Sequence, residues 1–422
     1  MRKKKIGIQV LIAIALVFEP QPSHAYSVLT HEAIVDACWV KSIEPLLLQK
    51  FPGATKDQLK LAHAYAYGGA IAPDIGYFPF GKPLFTNLVH YVRSGDFINA
   101  LLDDAQDINE YAFALGFLCH YIADEYGHSL ATNKCVPMLY PKERKKYGNV
   151  VTYEDDHLSH KRMEFAFDVL QTAGSDYNAV AYHDFIGFQF STQLLERAFP
   201  EVYGIELSSI FPNLSLSVAT LRWSFKRLFP SLTKAAWVLR KKEIQKARPE
   251  MTRRSYIYSM NKVDYYKEFG RKRQKPGIFS AVLGFFVWIV PKIGPLRSMK
   301  FKEPGPAAEK LFYASLDTTM VRYKAALRAC RSGSSRLPNI DFDTGQPTTP
   351  GEYGLADKNY DILVGRLQQN GFKFLNGELK RNVIDFYSHR TAPTGRRKVM
   401  KAWFKTEEGL QQLRQAPAIV VN

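Results

Sequence analysis

The feature that most constrains the fold is a regular spacing of chelating side chains within residues 113–133, FALGFLCHYIADEYGHSLATN. His120, Asp124 and His128 follow one another at four-residue steps. On an α-helix such steps keep the side chains on one slowly drifting stripe, here about 12 Å long. Imidazole and carboxylate groups are usual zinc ligands. A stripe of this length suits two or three metal ions bridged by the middle carboxylate, and the simpler alternative is a helix whose histidines only form hydrogen bonds.

Other potential ligands lie in the same half of the chain, since eight of the ten histidines come before residue 161. His160 and Glu164 are four residues apart in a helical pattern, so both could bind one ion from one helical face. His157 is a competing candidate, ranked second because His160 makes the tighter pair. Three more candidates, each of which would be taken alone for a capping or core residue, are Asp74, His90 and His31. Together these residues predict a metal centre with several ions.

The rest of the pattern is helical, and the alternation typical of strands is scarce. One helix is predicted over residues 30–48 with Thr30 as its N-cap, and another over residues 56–67, interrupted by Gly68 and Gly69. We therefore predict an all-α fold, a multi-helix bundle with an additional helical C-terminal region. The cysteines form no Cys-x-x-Cys pair, so metal ligands would be nitrogen and oxygen atoms. In an oxidising compartment disulfides are permitted but not required among Cys38, Cys119, Cys135 and Cys330.

Residues 1–25 have the pattern of a secretory signal. Residues 2–5 are all basic, and the apolar run at 6–18 is short for a membrane span. Small residues at the end favour cleavage after Ala25, which would make Tyr26 the new amino terminus. An uncleaved anchor is the alternative. The expected location is outside the cell or in the periplasm, with membrane association as a further possibility.

The chain is strongly basic, with a formal net charge of +17. An exported basic protein favours anionic partners such as lipid headgroups, nucleic acid or phosphate esters. Residues 240–297 combine basic and aromatic side chains, which suits peripheral membrane contact or nucleic acid, although a solvated helix face is the simpler interpretation. Within that range, the apolar residues 276–291 predict a core helix or an element that dips into a membrane. No protein partner is implied.

The predicted domain organisation has three parts. A signal peptide at 1–25 precedes a metal-binding helical domain at 26–300. A helical extension at 301–422 follows, with a loop rich in Gly, Pro and Ser at 332–354.

In type and order, the candidate ligands resemble those of the zinc-dependent phospholipase C family. That family shares an all-α, three-zinc fold with the single-strand-specific fungal nucleases, and the resemblance covers about residues 26–173. It implies three zinc ions, the first held by Asp74, His90 and His120 with Asp124 bridging, the second by His128, His160 and Glu164, and the third by Tyr26, His31 and Asp124. The amino nitrogen and carbonyl oxygen of Tyr26 would bind the third ion, although Trp is usual at that position.

Two spacings and one residue type distinguish the branches of this resemblance. The step from Asp124 to His128 is four residues, as in glycosylphosphatidylinositol-specific phospholipase D, whereas the bacterial phospholipases and the nucleases usually have six. Glu164 is similar to the phospholipase pattern, since the nucleases use Asp. The gap from Tyr26 to His31 instead resembles the nucleases. On balance these features favour a phospholipase.

The implied activity is hydrolysis of a phosphodiester, most simply a phospholipid, by a zinc-activated water. Zinc ions neutralise the anionic diester and lower the pKa of bound water toward about 7. The catalytic candidates are Asp74, which could orient or deprotonate the water, and the bridging Asp124. One alternative is a single-strand-specific nuclease or nucleotidase of the same fold. Another is a zinc-containing protein that binds membrane surfaces without turnover.

Overall fold

The computed structural model describes residues 28–173, 188–222, 302–333, 336–392 and 397–419, with isolated positions between 224 and 253. Within these residues the chain is helical, and strand-like pairing is limited to two isolated bridges. The prediction of an all-α fold is confirmed. Among the described helices, none combines the length and the apolar character needed to cross a membrane. The predicted signal segment, Tyr26 and the apolar residues 276–291 lie outside the described residues, as does nearly all of 240–297.

The first half of the chain forms a succession of helices: α1 (Val28–Cys38), α2 (Glu44–Lys50), α3 (Lys56–Ile71), α4 (Pro83–Tyr91), α5 (Ser94–Asp104) and α6 (Ile108–Gly127). They are followed by α7 (Asn133–Leu139), α8 (Pro141–Tyr147), α9 (His157–Ala173), α10 (Thr192–Tyr203) and α11 (Leu207–Ile210). The carboxy-terminal part contributes α12 (Pro306–Ser332), α13 (Gly354–Gln369), α14 (Gly377–Ser388) and α15 (Arg397–Gln415). Two π-helical turns (Trp39–Ile43 and His128–Thr132) and a 3₁₀ segment (Ala72–Tyr77) complete these elements.

Helix α6 is the centre of the bundle, and α3 packs along it more extensively than any other pair of elements. Glycines allow the two backbones to touch. A Cβ atom on Gly69 would lie 1.9 Å from the carbonyl oxygen of Phe113, and one on Gly116 would lie 2.0 Å from that of Ala66. The predicted interruption at Gly68 and Gly69 is therefore wrong, because these glycines serve close packing and α3 continues through them.

The beginning of α1 also differs from the prediction. The helix starts at Val28, so Thr30 is not its N-cap. The Thr30 hydroxyl instead donates a 2.9 Å hydrogen bond to Oδ1 of Asp168 on α9. This buried contact joins α1 to α9 and places His31, the next residue, in the interior.

The described carboxy-terminal residues share one hydrophobic core with the amino-terminal helices. Helix α12 packs against α6, where the Tyr323 hydroxyl donates to the Leu115 carbonyl oxygen at 2.9 Å. The helix-free residues 336–353 lie across α5 and α6; the Tyr121 hydroxyl, for example, donates to the Pro338 carbonyl oxygen at 2.9 Å. All four cysteines are unpaired, three of them buried and Cys330 partly so.

Candidate metal centre

The predicted ligands converge in the interior of the bundle, where α1, the 3₁₀ segment, α4, α6 and α9 meet. Each side chain is at most 3% exposed: His31, Asp74, His90, His120, Asp124, His128, His160 and Glu164. Of the sequence-predicted set, Tyr26 alone lies outside the described residues. Burying so many titratable groups together is costly unless charges compensate one another, so the cluster itself points to bound cations.

Asp74, His90 and His120 form the first of three groups that could hold a metal ion. His90 Nδ1 lies 2.8 Å from the Thr86 carbonyl oxygen, and His120 Nδ1 lies 2.8 Å from that of Ala70. Since a carbonyl only accepts, both rings in their neutral forms carry the proton on Nδ1 and present an Nε2 lone pair to the interior.

The two Nε2 atoms of His90 and His120 face each other at 3.3 Å. With both protons on Nδ1, no hydrogen bond joins them, and a cation is the natural partner for both lone pairs. Asp124 Oδ2 lies 3.0 Å from His120 Nε2 and 3.6 Å from His90 Nε2, and it is buried without a hydrogen bond among the described residues. Tetrahedral zinc holds its ligands at about 2.0–2.1 Å, hence about 3.3 Å from one another. The residues therefore fit zinc.

His31, His120 and Asp124 form the second group. His31 Nε2 lies 3.1 Å from Asp124 Oδ1, and its ring stacks on that of His120 with centroids 4.3 Å apart. The two oxygens of Asp124 are thus directed differently, Oδ1 to His31 and Oδ2 to His90 and His120. This is the arrangement required of a bridging carboxylate.

His128, His160 and Asp343 form the third group. Asp343 Oδ1 lies 3.3 Å from His128 Nδ1, and the two histidine rings stack at 4.9 Å. Glu164 contacts His160 instead, with Oε1 2.7 Å from Nδ1. His157, the competing candidate, is exposed and stacks on Tyr153.

Asp343 is the functional candidate that the sequence does not reveal. It lies on the segment 336–353, far along the chain from Glu164, and no helical spacing relates it to another ligand. The only local signal is a second acid two residues earlier, Asp341, and two acids in a loop rarely indicate a metal site.

The charges of the centre are strongly coupled. Burial opposes protonation of His90, but Asp124 and Asp74 outweigh it and raise the pKa of His90 to about 9. Burial likewise opposes ionisation of Asp124, yet the neighbouring histidines, His120 foremost, hold the pKa of Asp124 well below its usual value. Burial raises the pKa of Asp343 to about 7, with hydroxyl hydrogen bonds and His90 opposing the rise. Protons and metal ions therefore compete for the same atoms.

Within an all-α bundle, three groups of buried histidines and carboxylates could each hold a metal ion, which is the arrangement expected of a metalloprotein. Residues 30–213 match the family model described as zinc dependent phospholipase C. The resemblance to this family predicted from the sequence is confirmed over these residues, and the family together with the three groups supports a zinc-binding hydrolase. No curated protein and no solved structure matches the chain. The matched region ends before the segment that carries Asp343.

Proposed function

We propose that this protein is an exported phosphodiesterase that hydrolyses phospholipids with the help of three zinc ions. The observation that carries the proposal is the bridging position of Asp124, whose two oxygens are directed to different histidines inside a zinc-dependent phospholipase C domain. When bound, zinc neutralises the charge of a phosphodiester and lowers the pKa of water toward about 7.

The protein's contribution is to fix the orientation of these groups in advance. The carbonyl oxygens of Thr86 and Ala70 select the tautomers of His90 and His120, so that their lone pairs face inward. Asp74 presents Oδ1 3.5 Å from His90 Nε2 and Oδ2 3.8 Å from His120 Nδ1. One Asp74 oxygen can act as a metal ligand while the other orients the attacking water through a hydrogen bond.

Export is part of the proposal, since cleavage after Ala25 would give Tyr26 a free α-amino group. That group lies five residues before His31, the buried α1 residue that contacts Asp124. We propose that Tyr26, His31 and Asp124 hold the third zinc ion. Retention of three zinc ions by a chain that still begins at Met1 would contradict this role for Tyr26.

Phospholipid is the preferred substrate class because two features favour it. The pairing of His160 with Glu164 and the four-residue step from Asp124 to His128 resemble phospholipases, and the family description of residues 30–213 agrees. The net charge of +17 suits an anionic surface, and we propose that residues 240–297 contact the membrane peripherally. The same charge would also suit a single-stranded nucleic acid, which is why both substrates belong in one assay.

The test is metal analysis of the processed protein combined with a substrate panel of phospholipid vesicles, single-stranded DNA and nucleotides. The expected result is zinc-dependent release of a phosphorylated headgroup or of diacylglycerol, abolished by a chelator and restored by zinc. His160→Ala should remove this activity, and His157→Ala, at an exposed neighbour on the same helix, should leave it within about twofold of wild type. Nucleotide release without lipid hydrolysis would favour a nuclease. Bound zinc with no turnover on any substrate would favour a non-catalytic binding protein.

A further inference from the structure

The ion nearest His128 and His160 has two candidate carboxylates, Glu164 on α9 and Asp343 on the segment 336–353. We infer that Asp343 is its direct ligand and that Glu164 acts on the ion only through His160. The inference rests on the proposed zinc centre and deepens it. It adds a metal ligand from outside the region that matches the zinc-dependent phospholipase C family.

The distances to the histidine nitrogens distinguish the roles of the two carboxylates. Neighbouring ligand atoms of a tetrahedral zinc ion are about 3.3 Å apart, whereas a charge-assisted N–H···O hydrogen bond is about 2.7–2.9 Å long. Asp343 Oδ1 and His128 Nδ1 are 3.3 Å apart, which suits two ligands of one ion. Glu164 Oε1 and His160 Nδ1 are 2.7 Å apart, which suits a hydrogen bond. Glu164 therefore has the position of a partner that orients the His160 ring.

Asn133 supports this assignment from the other side of His160. The Asn133 amide nitrogen donates to the Asp343 carbonyl oxygen at 2.7 Å, which turns its own Oδ1 toward His160 Nε2 at 2.9 Å. If Nδ1 of His160 donates to Glu164, the neutral ring has no proton on Nε2, and an acceptor then faces a lone pair. A cation beside Nε2 relieves this conflict and places the ion on the side of His160 away from Glu164.

Asp343 is itself held like a metal ligand. The hydroxyls of Tyr91 and Tyr353 both donate to Oδ2, the first at 3.2 Å, so that Oδ1 is the oxygen directed at His128. Its neighbour Phe342 donates its backbone N–H to the His90 carbonyl oxygen at 3.2 Å and packs against the His90 ring at 4.8 Å. These contacts fix the carboxylate before any ion binds.

The first experiment counts zinc ions per chain in the processed protein for three variants. Asp343→Asn should lose about one zinc ion relative to wild type. Glu164→Gln should keep the full count and bind that ion about 10–100-fold more weakly. Asp341→Asn is the matched control, because it removes another buried acid of the same segment that belongs to none of the three groups. Full zinc retention in Asp343→Asn, or loss of an ion in Glu164→Gln, would overturn the inference.

A second measurement does not depend on zinc affinity or on activity. Asp343→Cys, loaded with cobalt(II), should show a near-ultraviolet thiolate-to-cobalt absorption that wild type lacks, because a Cys at this position would bind the ion directly. Glu164→Cys should show none, and the opposite pattern would exchange the two roles. A wild-type protein that binds no zinc would instead refute the proposed centre, so failure of the inference and failure of the proposed function give different results.

Discussion

The amino-terminal helices and the segment 336–353 both supply residues to the candidate metal centre, but they do so by different means. In the helices, the residues of the candidate centre follow the helical repeat, as in His120 and Asp124 on α6 or His160 and its partner Glu164 on α9. In the segment, Asp343 has no periodic partner and reaches the centre through tertiary contacts alone. Residues that a helix places on one face can therefore be recognised from their local spacing. A residue such as Asp343, which a loop brings to the site, cannot be recognised in this way.

The largest expected effect concerns Asp124, a candidate ligand on the helices. Asp124→Asn keeps the shape of the bridging side chain but removes its charge, and its two oxygens serve two groups of histidines. We expect zinc-dependent phosphodiesterase activity to fall at least about 1000-fold, with fewer zinc ions per chain. Metal analysis and vesicle assays check this, with circular dichroism to confirm folding. A folded variant with full activity would refute the mechanism.

The sequence predicts the candidate residues on the helices well and Asp343 on the segment 336–353 poorly, and the reasons are physical. The candidate residues of α6 and α9 are visible because a four-residue step fixes one helical face without any knowledge of the fold. Gly69 misled the prediction because the same residue type breaks a helix in isolation and permits close helix packing in a bundle. Asp343 was missed because its role depends on chain folding that brings residues 336–353 back over α6, and loop spacing carries no record of that.

The second largest effect concerns the scaffold that positions the helical ligands. In Gly116→Ala, the new methyl group would lie 2.0 Å from the Ala66 carbonyl oxygen, so α3 and α6 must separate. We expect a loss of at least about 3 kcal/mol in the free energy of unfolding.

Gly365→Ala in α13 is the matched control, because it is also a helical glycine and its added methyl group meets nothing within 4 Å. It should be neutral or stabilise the protein by up to about 1 kcal/mol. Chemical denaturation measures both variants. Equal changes in the free energy of unfolding would mean that helix propensity, and not the close contact of α3 with α6, determines the effect of Gly116→Ala.

A smaller effect tests how the segment 336–353 holds the Asp343 carboxylate in place. Tyr353→Phe removes one of the two hydroxyls that donate to Asp343 Oδ2 and leaves the other, from Tyr91, in place. We expect affinity for one zinc ion to fall about 10–100-fold, while the remaining ions bind as in wild type. Competition titration with a chelator measures this. Tyr121→Phe is the comparison, because its hydroxyl reaches only the Pro338 backbone, and a similar loss there would show that general anchoring matters more than the contact with Asp343.

The smallest effect separates the stability of the segment from its function. Ser94 holds residue 340 from both sides, since its hydroxyl donates to the Ile340 carbonyl oxygen at 2.7 Å and accepts from the Ile340 N–H at 3.0 Å. Ser94→Ala leaves both backbone groups buried without that partner, which should cost about 1–3 kcal/mol of unfolding free energy. Ser388→Ala is the control, because its exposed hydroxyl contacts only the Asp385 carbonyl oxygen and Nδ1 of the adjacent His389, both far from residues 336–353 in the sequence.

Because Asn133 and Phe342 hold the segment independently of Ser94, zinc content should remain that of wild type in Ser94→Ala. Hydrogen exchange should quicken in residues 336–353 and remain unchanged in α6. Loss of a zinc ion in Ser94→Ala would mean that the segment closes the centre as a single cooperative unit. Retention of the ion would mean that the contacts around Asp343 are sufficient to hold its carboxylate in place.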